Sequence, residues 1–170
     1  MFKPSLRHFA LLSALLVSPQ LFAGGLYFGA KTGRMIIDDA ASVLVNGIES
    51  QPTNASLLVG YEIMGIVIGD LAVEGELSRT MSPGVSSGQD VEVESSAVYA
   101  TLRTAGPFYF KVKTGFVNQN VIRGTATVSE TGASSGAGIG IGVGVAQLEL
   151  EWTVLKNDTS YASLGLQIDL

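Results

Sequence analysis

Residues 136 to 144 read GAGIGIGVG, with glycine in every second place and Ala137, Ile139, Ile141 and Val143 between. A period of two is a strand pattern, because a helix brings apolar side chains back at every third or fourth position. After Val145 the alternation resumes with Leu148, Leu150 and Trp152 on one side and Glu149 and Glu151 on the other. A ribbon of this kind needs apolar surroundings on one face. On the other it needs space, then countercharge.

The same pattern recurs along the chain. Leu26, Phe28, Ala30 and Thr32 alternate with Tyr27, Gly29, Lys31 and Gly33, and Leu57, Val59, Tyr61 and Ile63 with Leu58, Gly60 and Glu62. Leu71, Val73 and Leu77 lie opposite Glu74 and Glu76; Val98, Ala100 and Leu102 lie opposite Tyr99, Thr101 and Arg103. Phe108, Phe110, Val112 and Phe116 oppose Tyr109, Lys111, Lys113 and Gly115, and Leu164, Leu166, Ile168 and Leu170 oppose Ser163, Gly165, Gln167 and Asp169. With the two strands of the opening stretch, joined by a tight turn near Ala146-Gln147, the count is eight. Long polar connections are expected at 38–55, 82–91 and 118–135, with a shorter one at 156–159. Short connections are expected at 65–70, 104–107 and 146–147. Long and short alternate, as in an up-and-down barrel with its long loops at one end. Pro52, Pro83 and Pro107 all fall in connections, where a missing N–H costs no ladder bond.

The first 23 residues read as a cleaved export signal of the Sec type, with Lys3 and Arg7, then the apolar FALLSALLV and Ala23 at the cleavage point. Residues 24–170 then form one domain, the barrel. Only 15% of the residues are charged, against about 25% in a typical soluble domain. Loss of Lys3 and Arg7 leaves 8 basic and 15 acidic residues, a net charge of −7, which disfavours nucleic-acid binding. The chain has no cysteine, and its one histidine, His8, leaves with the signal. Thiol chemistry, Ser–His hydrolysis and His-ligated metals are thereby excluded.

Alternation does not say which face points inward. A soluble barrel buries its apolar face; a membrane barrel exposes it to lipid. The polar face here carries glycine and a few charges, namely Lys31, Glu62, Glu74, Glu76, Arg103, Lys111, Lys113, Glu149, Glu151 and Asp169. A wet sheet surface would use more Lys, Thr, Ser and Gln. An eight-stranded barrel has an interior just wide enough for side chains to fill, so the expectation is a plugged polar core. The glycines leave room there for the charged chains of other strands. Buried charges must pair, and adjacency suggests Arg103 with Glu74 or Glu76, Lys31 with Glu62, and Asp169 near the closure. The pairs EGE (74–76) and ELE (149–151) also resemble acid–base carboxylate pairs. Their recurrence on separate strands fits a structural ladder better, and no catalytic residue, metal site or cofactor is expected.

LLVGYEI…LAVEGELSRT, VYATLRTAGPFYFKVKTGF and the ending LELEWTVLKNDTSYASLGLQIDL resemble the small outer-membrane β-barrel proteins of Gram-negative bacteria, the OmpA-like, OmpX and Opa-like group. The likeness covers nearly all of 24–170. It implies adhesion, surface or envelope-integrity roles more often than catalysis. In that group a terminal aromatic residue is read by the barrel-insertion machinery. Here Leu170 takes that place, behind Leu164, Leu166 and Ile168.

The expected molecule is an all-β, eight-stranded antiparallel transmembrane barrel in a bacterial outer membrane, with a structural, surface-interaction or adhesion role and no catalysis. Its expected partners are outer-membrane lipid and lipopolysaccharide, the insertion machinery, and a surface ligand held by loops 38–55, 82–91 and 118–135. The alternatives are a lipid-modifying enzyme on the same scaffold, a soluble secreted barrel binding a small apolar ligand, and a narrow solute channel.

Overall fold

The computed structural model describes residues 25–38, 47–156 and 159–170. The expected export signal, 1–23, with Gly24, and parts of two connections, 39–46 and 157–158, lie outside them. Ten strands run in chain order: β1 Leu26–Ile37, β2 Ile48–Ser50, β3 Thr53–Ile66, β4 Gly69–Ser82, β5 Gly84–Ser86, β6 Gln89–Thr104, β7 Phe108–Arg123, β8 Ala126–Val143, β9 Ala146–Lys156 and β10 Thr159–Asp169. The eight long ones close a ring in the order β1–β3–β4–β6–β7–β8–β9–β10, every neighbour antiparallel. Closure is by β1 on β10, from Tyr27↔Asp169 to Ile37↔Thr159. The two short strands prolong longer ones past a proline. β2 continues into β3 across Pro52, β4 into β5 across Pro83, and β2 pairs with β5, which pairs with β6. Closure leaves the ring without an open edge along its length, which is how a sheet avoids edge-to-edge association.

Both ends of the described chain and the connections 67–68, 105–107 and 144–145 gather at one end, here called the lower end; Leu170 N–H donates to the Leu26 carbonyl there at 2.9 Å. The opposite, upper end carries the remaining connections.

Three expected connections are shorter than the sequence suggested. In 118–135, β7 runs to Arg123 and β8 begins at Ala126, so the loop is the two-residue turn Gly124-Thr125, with Gly124 at φ +57. The segment 82–91 holds β5 and the start of β6, and 38–55 holds β2 and the start of β3. These stretches are polar because their outer face is wet, and Thr and Val within them still favour extended backbone. Polarity marked exposure, not irregularity. The turn placed at Ala146-Gln147 lies two residues earlier, at Gly144-Val145, because Gly144 takes the left-handed conformation, φ +64, that a tight hairpin demands.

Candidate functional site: the barrel interior and its outer wall

Each inward position follows from strand parity. Lys31 on β1, Glu74 and Glu76 on β4, Lys111 and Lys113 on β7, and Glu149 and Glu151 on β9 all face the lumen and are buried. In the ring order β1 stands opposite β7, and β4 opposite β9. The lysines therefore occupy one diameter and the glutamates the perpendicular one. Each ammonium lies between two acidic walls. Lys31 Nζ is 2.8 Å from Glu151 and 3.2 Å from Glu76; Lys111 Nζ is 2.8 Å from Glu74 and 3.2 Å from Glu149. Lys113 Nζ is 2.7 Å from Glu151 and 2.9 Å from Glu76. Two carboxylate oxygens that accept no hydrogen bond, Glu74 Oε1 and Glu151 Oε2, still lie 3.8 Å from Lys31 and 3.3 Å from Lys111.

Hydroxyls complete the network. Tyr27 donates to Glu74 at 3.1 Å, Tyr109 to Glu149 at 3.3 Å, and Thr153 to Glu151 at 2.9 Å. Lys113 Nζ lies 4.1 Å from the ring centre of Tyr99, within cation–π range. Such a cluster is stable only if every member is matched, since an unpartnered charge in a low dielectric is costly.

At the lower mouth Arg103 pairs with Glu62 and donates to Gln147, whose amide in turn donates to Asp169. Its guanidinium is 5.7 Å from the Tyr27 ring centre and 5.5 Å from that of Tyr109. The space left near Tyr27, Glu62, Asp70 and Arg103 is about 10 Å³, on the order of one water. Above the charges lies a layer of buried polar groups, in which Asn54 donates to the Val93 carbonyl at 2.7 Å and Gln119 to Thr159 at 3.0 Å. Interleaved with this layer and continuing above it, Met35, Ile37, Val91, Val93, Val117 and Leu155 form an apolar plug.

The pairings suggested by adjacency are not those found. Arg103 meets Glu62, not Glu74 or Glu76; Lys31 meets Glu76 and Glu151, not Glu62; and Asp169 accepts from Gln147. In so narrow a lumen a long side chain reaches across the ring, so height along the axis selects its partner. Tyr27, Tyr99, Tyr109 and Thr153 were assigned no role from sequence, and Gln147 was placed in a turn. Their inward parity, shared with the charged residues, was the available signal.

The outer wall is the reverse. Phe28, Leu57, Val73, Val98, Phe110, Ile139, Leu150 and Leu166 all point outward and are exposed, Phe110 by 68%. Leu164, Ile168 and Leu170 share that face on and just beyond β10. Toward the upper end the strands change sense. On β7, Phe108, Phe110, Val112 and Phe116 face out; beyond them Asn118 and Asn120 face out while Val117 and Val121 are buried inside. On β6 the outward Val98 gives way to Ser96 and Glu94, and Val93 and Val91 turn inward; on β1 Phe28 gives way to Arg34, with Met35 and Ile37 inside. These strands, and β9 with Leu155 inside and Lys156 outside, are inside-out below and ordinary above, while upper β3 and β4 keep Asn54, Ser56 and Ser78 buried inside. The inverted stretch of β7, Phe108 to Phe116, is about 26 Å of extended chain at ~3.3 Å per residue, close to the length that a tilted strand needs to span hydrocarbon.

Among the described residues no cluster of acidic or histidine side chains is placed to hold a metal ion. No protein-family profile matches the sequence, and no curated protein matches it. The fold does have counterparts. Neisserial surface protein A superposes with a TM-score of 0.60 at 11% identity, covering 88% of this chain and 100% of that one. Ail, the attachment invasion locus protein of Yersinia pestis, superposes with a TM-score of 0.53 at 15% identity in its complex with the heparin analogue sucrose octasulfate, covering 86% of this chain and 95% of that one. Ail in a phospholipid bilayer nanodisc gives 0.50 at 14% identity, covering 85% and 99%. At these identities the likeness speaks to architecture: the chain has the fold of the small eight-stranded outer-membrane barrels.

Proposed function

We propose that the protein is an integral outer-membrane barrel whose role is structural or one of surface interaction, without chemistry of its own. One observation carries this reading, the inversion of polarity along β1, β6, β7 and β9. An aliphatic wall around a charged lumen suits hydrocarbon and nothing else, and the return to an ordinary inside and outside above Phe116 suits water. The plugged lumen favours a scaffold over a channel, and the ion network uses its carboxylates in pairing with lysines. Leu164, Leu166, Ile168 and Leu170 form the outward edge of the closing strand, where insertion machinery would read a terminal signal.

The upper hairpins are where a ligand would meet the protein, since loops on a rigid scaffold commonly carry binding. Ail was solved with a sulfated heparin analogue. Here the upper region holds Glu49, Asp90, Glu92, Glu94 and Glu130 against Arg34, Arg79, Arg123 and Lys156, so a neutral or cationic partner surface is the better match.

Expression of the full chain followed by membrane fractionation and gel migration with and without heating tests the reading. The expected result is recovery with outer membranes and faster migration when unheated. Recovery in soluble form without detergent overturns it. Turnover of labelled lipid A or phospholipid by the purified protein would favour an enzyme instead.

A further inference from the structure

The apolar outer wall does not stop at the last ladder pair of the lower end; it continues over the turns. Ile66, Val67 and Ile68 make the tip between β3 and β4, with Ile63 and Met64 just before it, and all five are exposed, Val67 completely. Val143 and Val145 flank Gly144 at the β8–β9 turn and are exposed too. Turn tips facing water are normally built from Gly, Asn, Asp, Ser and Pro. The charged side chains of this end, Glu62, Asp70, Arg103 and Asp169, take inward positions at the mouth. At the upper end Arg34, Arg79, Glu92 and Glu94 stand on the outward positions.

We infer that the β3–β4 and β8–β9 tips are lipid-contact elements, seated at the boundary of acyl chains and headgroups, so that the barrel's lower end lies flush with the bilayer. This rests on the membrane-spanning reading above. The occupant is lipid, not protein, for two reasons. Ile63, Leu71, Phe108 and Ile141 join the tips to the wall without a polar break, so the surface that hydrocarbon covers runs on to them. The two tips also stand on opposite sides of the ring. A planar lipid surface touches both at once, while one protein covering both would lie across the mouth and over Asp70 and Asp169.

The chain has no cysteine, so single-cysteine variants can be labelled cleanly. V67C and V145C report the tips, L150C the wall, and Q89C the upper end. Each carries an environment-sensitive fluorophore in phosphatidylcholine vesicles, and only protein migrating as folded on unheated gels is scored. At 67 and 145 the emission is expected to shift to the blue and to be lost to spin-labelled lipid, as at 150, while 89 is quenched by aqueous iodide. If either tip is quenched by iodide and spared by spin-labelled lipid while 150 behaves as lipid-facing, the inference falls and the spanning barrel stands. If 150 itself is iodide-quenched and lipid-insensitive, both fall.

Discussion

The Tyr109 ring fills the space above Gly140, its directly paired neighbour on the next strand, so that a Cβ on Gly140 would overlap the phenol. Tyr27 does the same to its own partner, Gly60. A Cβ on Gly165 would lie 2.9 Å from Lys31, and one on Gly136 3.0 Å from Lys113. These four inward side chains lean sideways over a glycine on the adjoining strand, and this lets them stay inside so narrow a ring. The glycine run of β8 therefore makes room for its two direct neighbours, Gly140 for Tyr109 on β7, Gly138 for Glu151 on β9, and Gly136 for Lys113 and Thr153 on either side.

A methyl group at Gly140 has no room and must push Tyr109 off Glu149. Gly140→Ala is expected to destabilise the barrel by about 1–3 kcal/mol, the usual range for overpacking. Gly75→Ala is the control, because a Cβ there faces outward with its nearest atom, on Val59, 3.8 Å away; it should stay within ~0.5 kcal/mol. Urea unfolding of both variants in the same lipid checks the difference, and equal effects would show that the Tyr109–Gly140 fit is not what limits the site.

Lys111 binds Glu74 and Glu149 from between them. Lys111→Met keeps most of the volume, strands Glu149 and leaves Glu74 with only the more distant Lys31, at a cost of about 3–5 kcal/mol, as for a broken buried pair. Adding Glu149→Gln removes the stranded charge and should recover part of that loss. A double-mutant cycle on unfolding free energies measures the coupling. Additive losses would mean that the two groups act independently despite their 3.2 Å separation.

The eight long strands and the sense of their faces were legible because alternation is a local property of the chain. Parity put Lys31, Glu74 and Arg103 on one face and Phe110 and Leu150 on the other, and the glycines and few charges of the first face marked it as the inner one. What could not be read was set by distance in space. Arg103 finds Glu62 because both stand at the lower mouth, and no adjacency rule supplies that height. The upper halves of β7 and β8 were missed for a different reason. At Val117 the apolar residues change face, so a search for aliphatics on one parity loses the strand just where the polar side passes from the lumen to the outside.

The plugged lumen predicts electrical silence. Met35, Val93, Val117 and Leu155 close the lumen above the ion network, and the Arg103–Glu62 pair narrows it below. Planar bilayers holding the purified protein should show no large, steady conductance. Arg103→Ala alone should change little, because the apolar plug remains. Steady conductance of the wild-type protein would mean that the plug opens, and would favour the narrow channel.

The change of sense along β6, β7 and β9 gives the most direct test of where lipid ends. Leu150 lies on the inverted part of β9 and faces outward; Asn118 faces outward on β7 beyond Phe116, where the polar side is already outside. An arginine costs about 2–4 kcal/mol at the bilayer midplane of such a barrel and ~0–1 near an interface. Leu150→Arg is therefore expected near the first range and Asn118→Arg near the second, although both substitutions put the same charge on an exposed outward position. Solvent exposure alone would make them equally mild, so the gap between them depends on the medium outside the wall. Unfolding in phosphatidylcholine vesicles measures it. Similar costs at the two positions would show that hydrocarbon does not reach the inverted stretch.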